Sequence, residues 1–235
     1  MGGRGGGSGR GNSALDTKDV GELRQYMQDH YSVTVHASAD KVEFGVLRSV
    51  AAELESLMKE FPQATFGIHE LNGSENRSNA YASASLYGKL QLNPQMMGDQ
   101  AKLDQSYEHD VRVKWHPDGT SSIHIASHEI GHLLEGAMVF KNIRQADYYG
   151  TLDRISAWNK HRFATKVVSE AARAAKKTAA GKGLSNDQLV AQISRYATKN
   201  RSEALAEAVA DYRANGSRAK PLSQEIWKIL KRELG

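Results

Sequence analysis

The sequence predicts a single α+β domain that is mostly helical and carries a small mixed sheet. Three observations lead to this fold class. The chain has 235 residues, enough for one good hydrophobic core but scarcely for two independent ones. Over most of the chain, apolar residues recur every three or four positions, as in amphipathic helices. Segments that alternate between apolar and polar residues, as strands do, occur only before Pro94.

The part of the chain before Pro94 mixes both patterns. Pro62 follows the longer helical segment, where a proline ends a helix. Asn72, Gly73 and Ser74 together predict a turn. In chain order the predicted elements are a helix at 16–29, a strand at 31–35, a helix at 39–61, a strand at 65–71, and either a strand pair or one long edge strand at 80–93.

The part of the chain after Pro117-Asp118-Gly119, a predicted turn, is helical. Ser185 and Ser202 are typical N-cap residues, Gly216 is typical of a helix end, and Pro221 suits a first helical position. In chain order the predicted helices begin near Ser121, cover most of 147–177, run over 185–196 and 202–214, and start again at Pro221, with Ile226, Trp227, Ile229 and Leu230 facing inward.

The composition restricts the classes of site that the chain can carry. Apolar residues make up 40% and charged residues 25% of the chain, as in ordinary globular proteins. No apolar run approaches the roughly 18 residues that a membrane span needs. The absence of cysteine excludes disulfides and Cys-ligated zinc. A metal ion would therefore need histidine and carboxylate ligands.

Composition along the chain also predicts where the domain begins and how it is charged. Residues 1–13 are rich in glycine and arginine and predict a flexible tail, which leaves 14–235 as the domain. The net charge of +4 is mildly basic. Residues of about 146–183 form a basic helical stretch, and no aromatic pattern there supports stacking on bases, so we expect a solvated face; binding of an acidic substrate or nucleic acid is the alternative.

A metal-binding motif lies within the helix that begins near Ser121. His128, Glu129 and His132 form an HExxH sequence. Residues four apart share a helix face, so both imidazoles can reach one ion. Glu129 directly follows His128, and its carboxylate can contact a water beside that ion. The motif predicts a zinc site with His128 and His132 as ligands and Glu129 as general base; two surface histidines are the alternative.

A tetrahedral zinc needs a third protein ligand. The histidine that would follow at the HExxHxxGxxH spacing is absent, and Glu135 lies on the same helix as the motif. Glu203 and Glu207 lie four apart among alanines in a later helix, and the small residues allow that helix to approach closely. Glu203 can be the third ligand, and Glu207 can accept the outer N–H of a ligating histidine. In isolation the pair would suit a solvated helix face.

These residues lie in segments that resemble the gluzincin zinc metallopeptidases related to the catalytic domain of anthrax lethal factor. The family carries a tyrosine seven residues before a glutamate ligand, within a segment of the type YA…N…ExxAEA; here the matching residues are Tyr196, Glu203 and Glu207. The resemblance covers the HExxH helix and about 185–234. Similar domains also occur on phage head-associated proteins. The basic stretch at about 146–183 departs from the family as an apparent insertion.

The resemblance implies a zincin-like fold and a zinc-dependent endopeptidase, associated with a phage or a toxin. Glu129 would move the proton of a zinc-activated water, and Tyr196 would donate to the oxyanion. Implied partners are a peptide or protein substrate, from a phage virion or a host. With no secretion signal at the N-terminus, the sequence favours a cytoplasmic or virion-associated protein over a Sec-secreted one. The alternative function is a catalytically silent zinc-fold structural or interaction protein of a virion.

Overall fold

The computed structural model describes residues 13–74, 80–144 and 148–235, and gives no side-chain environment for 65–67. The chain is mostly helical with one four-stranded mixed sheet, so the predicted α+β class is confirmed. Residues 1–12 of the predicted tail lie outside the described residues. The helices are α1 (Val20–Tyr31), α2 (Phe44–Glu60), α3 (Pro94–Met97), α4 (Gln100–Arg112), α5 (His124–Asn142), α6 (Tyr148–Asn159), α7 (Arg162–Ala175), α8 (Asn186–Ala191), α9 (Arg201–Asn215) and α10 (Pro221–Leu234).

The sheet contains three parallel strands and one antiparallel edge strand. Its order is β1-β2-β4-β3, and β3 pairs with β4 in the antiparallel sense. The segment 80–93 is therefore a strand pair, the first of the two predicted alternatives. The predicted turn at Asn72-Gly73-Ser74 is wrong, because the strand continues through Gly73 and the Ser74 amide donates to Leu92. The strands are β1 (Thr34–Val35), β2 (Glu70–Gly73), β3 (Ala82–Ala84) and β4 (Lys89–Leu92).

The first two helices start where a carboxylate caps them. The Asp19 side chain accepts from the amide of Glu22, and the Glu43 side chain accepts from the amide of Val46. The predicted start of α2 at residue 39 is wrong, because Ala37–Lys41 form a 3-10 turn before the cap.

Helices α3 and α4 were not predicted, because the stretch after Pro94 reads as polar. The Asp99 side chain caps α4 by accepting from the amide of Lys102. Only Leu103 and Tyr107 of α4 are buried, so the helix carries too few apolar residues to give a clear periodic pattern. This helix nevertheless forms one wall of the cavity described below.

Most of the helices near the C-terminus begin or end at a residue that the sequence predicted. Ser185 caps α8, as predicted, and forms a capping box with Gln188, but α8 ends at Ala191, well before residue 196. Tyr196–Thr198 instead form a 3-10 turn. The predicted cap at Ser202 is wrong: the Asn200 side chain caps α9. The predicted roles of Gly216 at the end of α9 and Pro221 at the start of α10 are confirmed.

The basic stretch forms two helices, and most of its lysines and arginines face solvent. The apolar side of α7, which includes Phe163, Val167 and Val168, is buried in the same core as α9 and α10. Arg154 is half-buried and donates to the carbonyl of Ile143. The other lysines and arginines of this stretch are exposed: Lys160, Arg162, Lys166, Arg173, Lys176, Lys177 and Lys182. The exposed charges thus form the predicted solvated face, while the apolar residues of the stretch belong to the core.

The centre of the core is the contact between α5 and α9. A Cβ atom added to Gly131 of α5 would lie 2.6 Å from the Cα of Ala206 of α9, so the two backbones approach as closely as glycine permits. Ala204, Leu205 and Ala208 beside this contact are fully buried. This close approach, which the alanines of α9 predicted, brings the HExxH helix and the glutamate helix together. Among the described residues, no helix is long and apolar enough to cross a membrane.

Candidate metal centre

His128 and His132 lie one turn apart on the same face of α5, and their rings converge. Their ring centroids are 5.0 Å apart, and their Nε2 atoms are 3.2 Å apart. His128 is buried and His132 is partly buried. The helical spacing of the HExxH sequence therefore brings two ring nitrogens together.

Glu203 completes a triangle with these two nitrogens. Its Oε2 atom lies 3.2 Å from Nε2 of His128 and 3.3 Å from Nε2 of His132. A tetrahedral zinc with bonds of about 2.0–2.1 Å separates its ligand atoms by about 3.3–3.4 Å. The three sides, of 3.2, 3.2 and 3.3 Å, lie within about 0.2 Å of this separation, so one zinc ion fits the three atoms with only a small adjustment of the side chains. Among the described residues this is the one group of three or more His, Asp or Glu side chains that meets the distances of a metal site.

Glu207 holds the outer nitrogen of His128. Its Oε1 atom lies 2.7 Å from Nδ1 of His128 and 3.1 Å from Nδ1 of His116. Its Oε2 atom accepts a hydrogen bond of 2.7 Å from Ser194 Oγ. The carboxylate is fully buried. Glu207 thus lies where the sequence predicted it, in the outer shell of the site, with two further partners that the sequence did not indicate.

His132 is held by a second chain of hydrogen bonds. Its Nδ1 atom lies 2.9 Å from Ser202 Oγ. Ser202 donates its own hydrogen, over 2.5 Å, to Oε2 of the fully buried Glu135. The amide of Ala164 donates to the other oxygen of Glu135. Glu135, set aside as a ligand in the sequence, therefore acts through Ser202 on the orientation of His132.

These outer bonds determine which ring nitrogens carry hydrogen. A carboxylate can only accept, so Nδ1 of His128 donates to Glu207. Ser202 donates its hydrogen to Glu135 and can only accept from His132, so Nδ1 of His132 donates to Ser202. In the neutral rings, both Nε2 atoms then present lone pairs toward Oε2 of Glu203, a buried atom without a hydrogen-bond partner. Three electron-pair donors converge on one point, which is an arrangement that a cation stabilises.

The charges around the triangle favour a cation in the same way. Burial alone would raise the pKa of Glu203, but the rings of His128 and His132 beside its carboxylate hold the pKa well below its ordinary value. Burial would likewise raise the pKa of Glu207, and His116 and His128 lower it instead. Both carboxylates therefore stay ionised at neutral pH. Burial alone would lower the pKa of His128, but these two carboxylates raise it well above its ordinary value.

Comparison of the chain with protein-family models, with curated proteins and with solved structures found no match. The case for a metal centre therefore depends on the geometry of the side chains and on the residues that carry the resemblance.

Glu129 lies beside the triangle without being part of it. Its side chain is buried at the wall of a cavity of about 690 Å³ that His128 and Tyr196 also line. Burial raises the pKa of Glu129 above its ordinary value, against the opposing effect of the two histidines. A carboxylate whose proton affinity is raised in this way is suited to accept a proton from water and to release it again.

Tyr196 lies across the cavity from the HExxH helix. Its ring centroid is 5.6 Å from that of His128. The backbone amide of Tyr196 donates to the carbonyl of Trp115, which ties the 3-10 turn to the loop that carries His116. Burial, with the carboxylates of Glu203 and Glu129, raises the pKa of the Tyr196 phenol. The hydroxyl therefore keeps its hydrogen at neutral pH, as a hydrogen-bond donor must.

The structure thus brings all six residues singled out in the sequence to one site: His128, Glu129, His132, Tyr196, Glu203 and Glu207. Sequence reasoning missed the residues around them, namely His116, Ser194, Ser202 and Glu135. Ser202 was interpreted as a cap, and nothing in the sequence pointed to His116. No local pattern links His116 to Glu207, since 91 positions separate them.

Proposed function

We propose that the protein is a zinc-dependent endopeptidase. The observation that carries the proposal is the triangle of 3.2–3.3 Å between two imidazole nitrogens and one carboxylate oxygen. His128, His132 and Glu203 would hold the ion. The zincin-like fold and the kinship with gluzincins are part of the same proposal, supported by the order of the motif, the tyrosine and the two glutamates along the chain.

The residues around the triangle have separate roles in this proposal. A bound zinc ion would supply a Lewis acid that lowers the pKa of a coordinated water to about 7 and polarises a carbonyl group. The carboxylate of Glu129 would accept a proton from the attacking water and pass it to the leaving amine. Tyr196, on the other side of the cavity, donates a hydrogen bond to the carbonyl oxygen as negative charge develops there.

The sheet offers a place for the backbone of the substrate. β3 is an edge strand, and Ala82 at its start lines the same cavity as His128 and Glu129. An extended peptide can pair with such an edge through main-chain hydrogen bonds. The proposed substrate is therefore an extended segment of a protein, from a phage virion or from a host.

The proposal is tested by Glu129→Gln beside the unaltered chain. Elemental analysis should find about one zinc per chain in both proteins, and a chelator should remove it. The unaltered protein should create new N-termini in a proteome digest, which would also identify the target, and the variant should create none. Persistent cleavage by the variant would refute the role of Glu129. Zinc binding without any cleavage by the unaltered chain would replace the peptidase with a silent zinc-fold structural protein.

A further inference from the structure

We propose that the cavity beside the metal centre receives an arginine or lysine side chain of the substrate, with the Asp110 carboxylate as its partner. This inference rests on the proposed peptidase function and assigns it a class of substrate. The feature that carries it is a carboxylate in the cavity wall that has no cationic partner.

Asp110 lies at the C-terminal end of α4 and lines the cavity together with Glu129 and Tyr196. It is partly buried. In the three described ranges of the chain, no lysine, arginine or histidine forms an ion pair with it; Lys114, four residues later, pairs with Asp118 instead. A carboxylate that loses water without gaining a cation is costly, so a ligand that fills the cavity needs to supply one.

The orientation of Asp110 leaves one oxygen available. Tyr81, just before β3, donates to Oδ2 over 2.9 Å and lies 2.8 Å from Ser106 Oγ. Burial and the nearby Asp110 carboxylate raise the pKa of Tyr81 to about 12, so the phenol remains a donor at neutral pH. Oδ1 has no hydrogen bond from any described residue. A guanidinium or ammonium group can donate to this free oxygen.

Aromatic rings connect Asp110 to the metal centre. The ring centroid of Tyr81 lies 6.5 Å from that of His116, and the centroid of His116 lies 6.5 Å from that of His128. Tyr107 stacks on His116 at 4.8 Å. The carboxylate is thus two ring contacts away from a zinc ligand. A long side chain with an apolar stem and a charged end suits this distance and these walls.

The part of the cavity wall formed by Tyr196 and Trp115 already accommodates an ammonium group. The Nζ atom of Lys199 lies 4.0 Å from the ring centroid of Tyr196 and 5.2 Å from that of Trp115. Aromatic faces attract cations, but these two faces are already occupied by Lys199, so an incoming basic side chain depends on the carboxylate of Asp110 at a distance from them. An acidic substrate side chain would be repelled by Asp110, and an apolar one would desolvate the carboxylate without compensation.

The first arm of the test uses the zinc-loaded full chain and random decapeptide pools. Arginine and lysine should be enriched at one position beside the cleaved bond. Matched peptides with arginine or with citrulline, its neutral isostere, should then differ about ten- to hundredfold in kcat/KM, as expected for one charge-assisted hydrogen bond. Asp110→Asn should reduce this ratio to near one while citrulline peptides are still cleaved. Glu108→Gln removes an equal charge from the exposed side of α4 and should keep the ratio.

The second arm needs no cleavage. N-acetyl-arginine amide should shift the NMR signals of Tyr81 and Ser106 in the unaltered chain, whereas N-acetyl-citrulline amide should not, and Asp110→Asn should abolish the response. Such binding without peptide cleavage would support a pocket that binds cations and would refute the peptidase function. Cleavage without a preference for basic residues at any position, or a preference that persists in Asp110→Asn, would overturn the inference. Unchanged thermal unfolding of Asp110→Asn would show that the variant is folded.

Discussion

Ser202→Ala separates the outer hydrogen bonds of the site from its ligands. The substitution leaves the two histidines and Glu203 in place. It removes the acceptor for His132 Nδ1 and the donor to Oε2 of Glu135, bonds of 2.9 and 2.5 Å. Glu135 is fully buried and would keep only the amide of Ala164, at 3.2 Å. Because the hydroxyl also fixes the tautomer of His132, its loss allows that ring to turn Nε2 away from the triangle.

The size of the effect follows from these two bonds. Leaving a buried carboxylate oxygen without its donor costs about 1–3 kcal/mol, which we expect as a loss of unfolding free energy in the metal-free protein. Loss of an outer partner of a metal-ligating histidine typically lowers metal affinity about ten- to hundredfold. Urea unfolding in the presence of a chelator measures the first quantity. Competition for zinc with a chromophoric chelator measures the second.

Ser49→Ala is the matched control. Ser49 is a helical serine outside the site whose hydroxyl donates to the carbonyl of Gly45, so its removal should leave zinc affinity unchanged. Ser202→Thr keeps a hydroxyl and should recover part of the affinity. If Ser202→Ala binds zinc as tightly as the unaltered protein, the hydroxyl does not orient His132 and the tautomer argument fails.

Two further predictions concern the oxyanion donor and the stability of the fold. Tyr196→Phe should lower kcat by about 10²–10³-fold with little change in zinc affinity, since an oxyanion donor contributes about 3–4 kcal/mol; steady-state kinetics and zinc titration check this, and an unchanged kcat would contradict it. Burial would raise the pKa of Glu53, but bonds from Arg213 and Ser127 lower it, so its stabilisation is present above the unfolded pKa of about 4.3 and is lost as pH falls through the folded pKa. Glu53→Gln should therefore destabilise the protein by about 1–3 kcal/mol at pH 7 and progressively less in acid; urea unfolding from pH 7 to pH 3 measures this, and a pH-independent difference would contradict it.

The parts of the fold that depend on local chemistry were predictable. Ser185 caps α8, Gly216 ends α9 at a positive φ of 55°, and Pro221 opens α10. Each of these depends on the backbone preference of one residue and its near neighbours. The spacing of His128 and His132 is local in the same sense, because the helical period alone places them on one face.

The parts that depend on distant partners were not predictable. Ser202 has the chemistry of a cap, and only the position of Glu135 on another helix makes it a partner of the metal centre. Asn200 takes the cap position instead. Helix α4 escaped prediction because its inward face consists of only Leu103 and Tyr107. The bond between Ser202 and Glu135 joins residues 67 positions apart, which no local pattern indicates. The cap at Asn200 is local and was missed because Ser202, two residues later, has the same capping chemistry.

The geometry of the ligands depends on the packing of two backbones. Gly131 is the neighbour of His132, and Ala206 lies one turn after Glu203. A Cβ atom at Gly131 would come within 2.6 Å of the Cα of Ala206, too close for any side chain without a shift of α9. Such a shift would lengthen the sides of the triangle that join Glu203 to the histidines. The small residues along this contact therefore set the ligand distances as directly as the ligands do, which explains why the glutamate helix is rich in alanine at its buried positions.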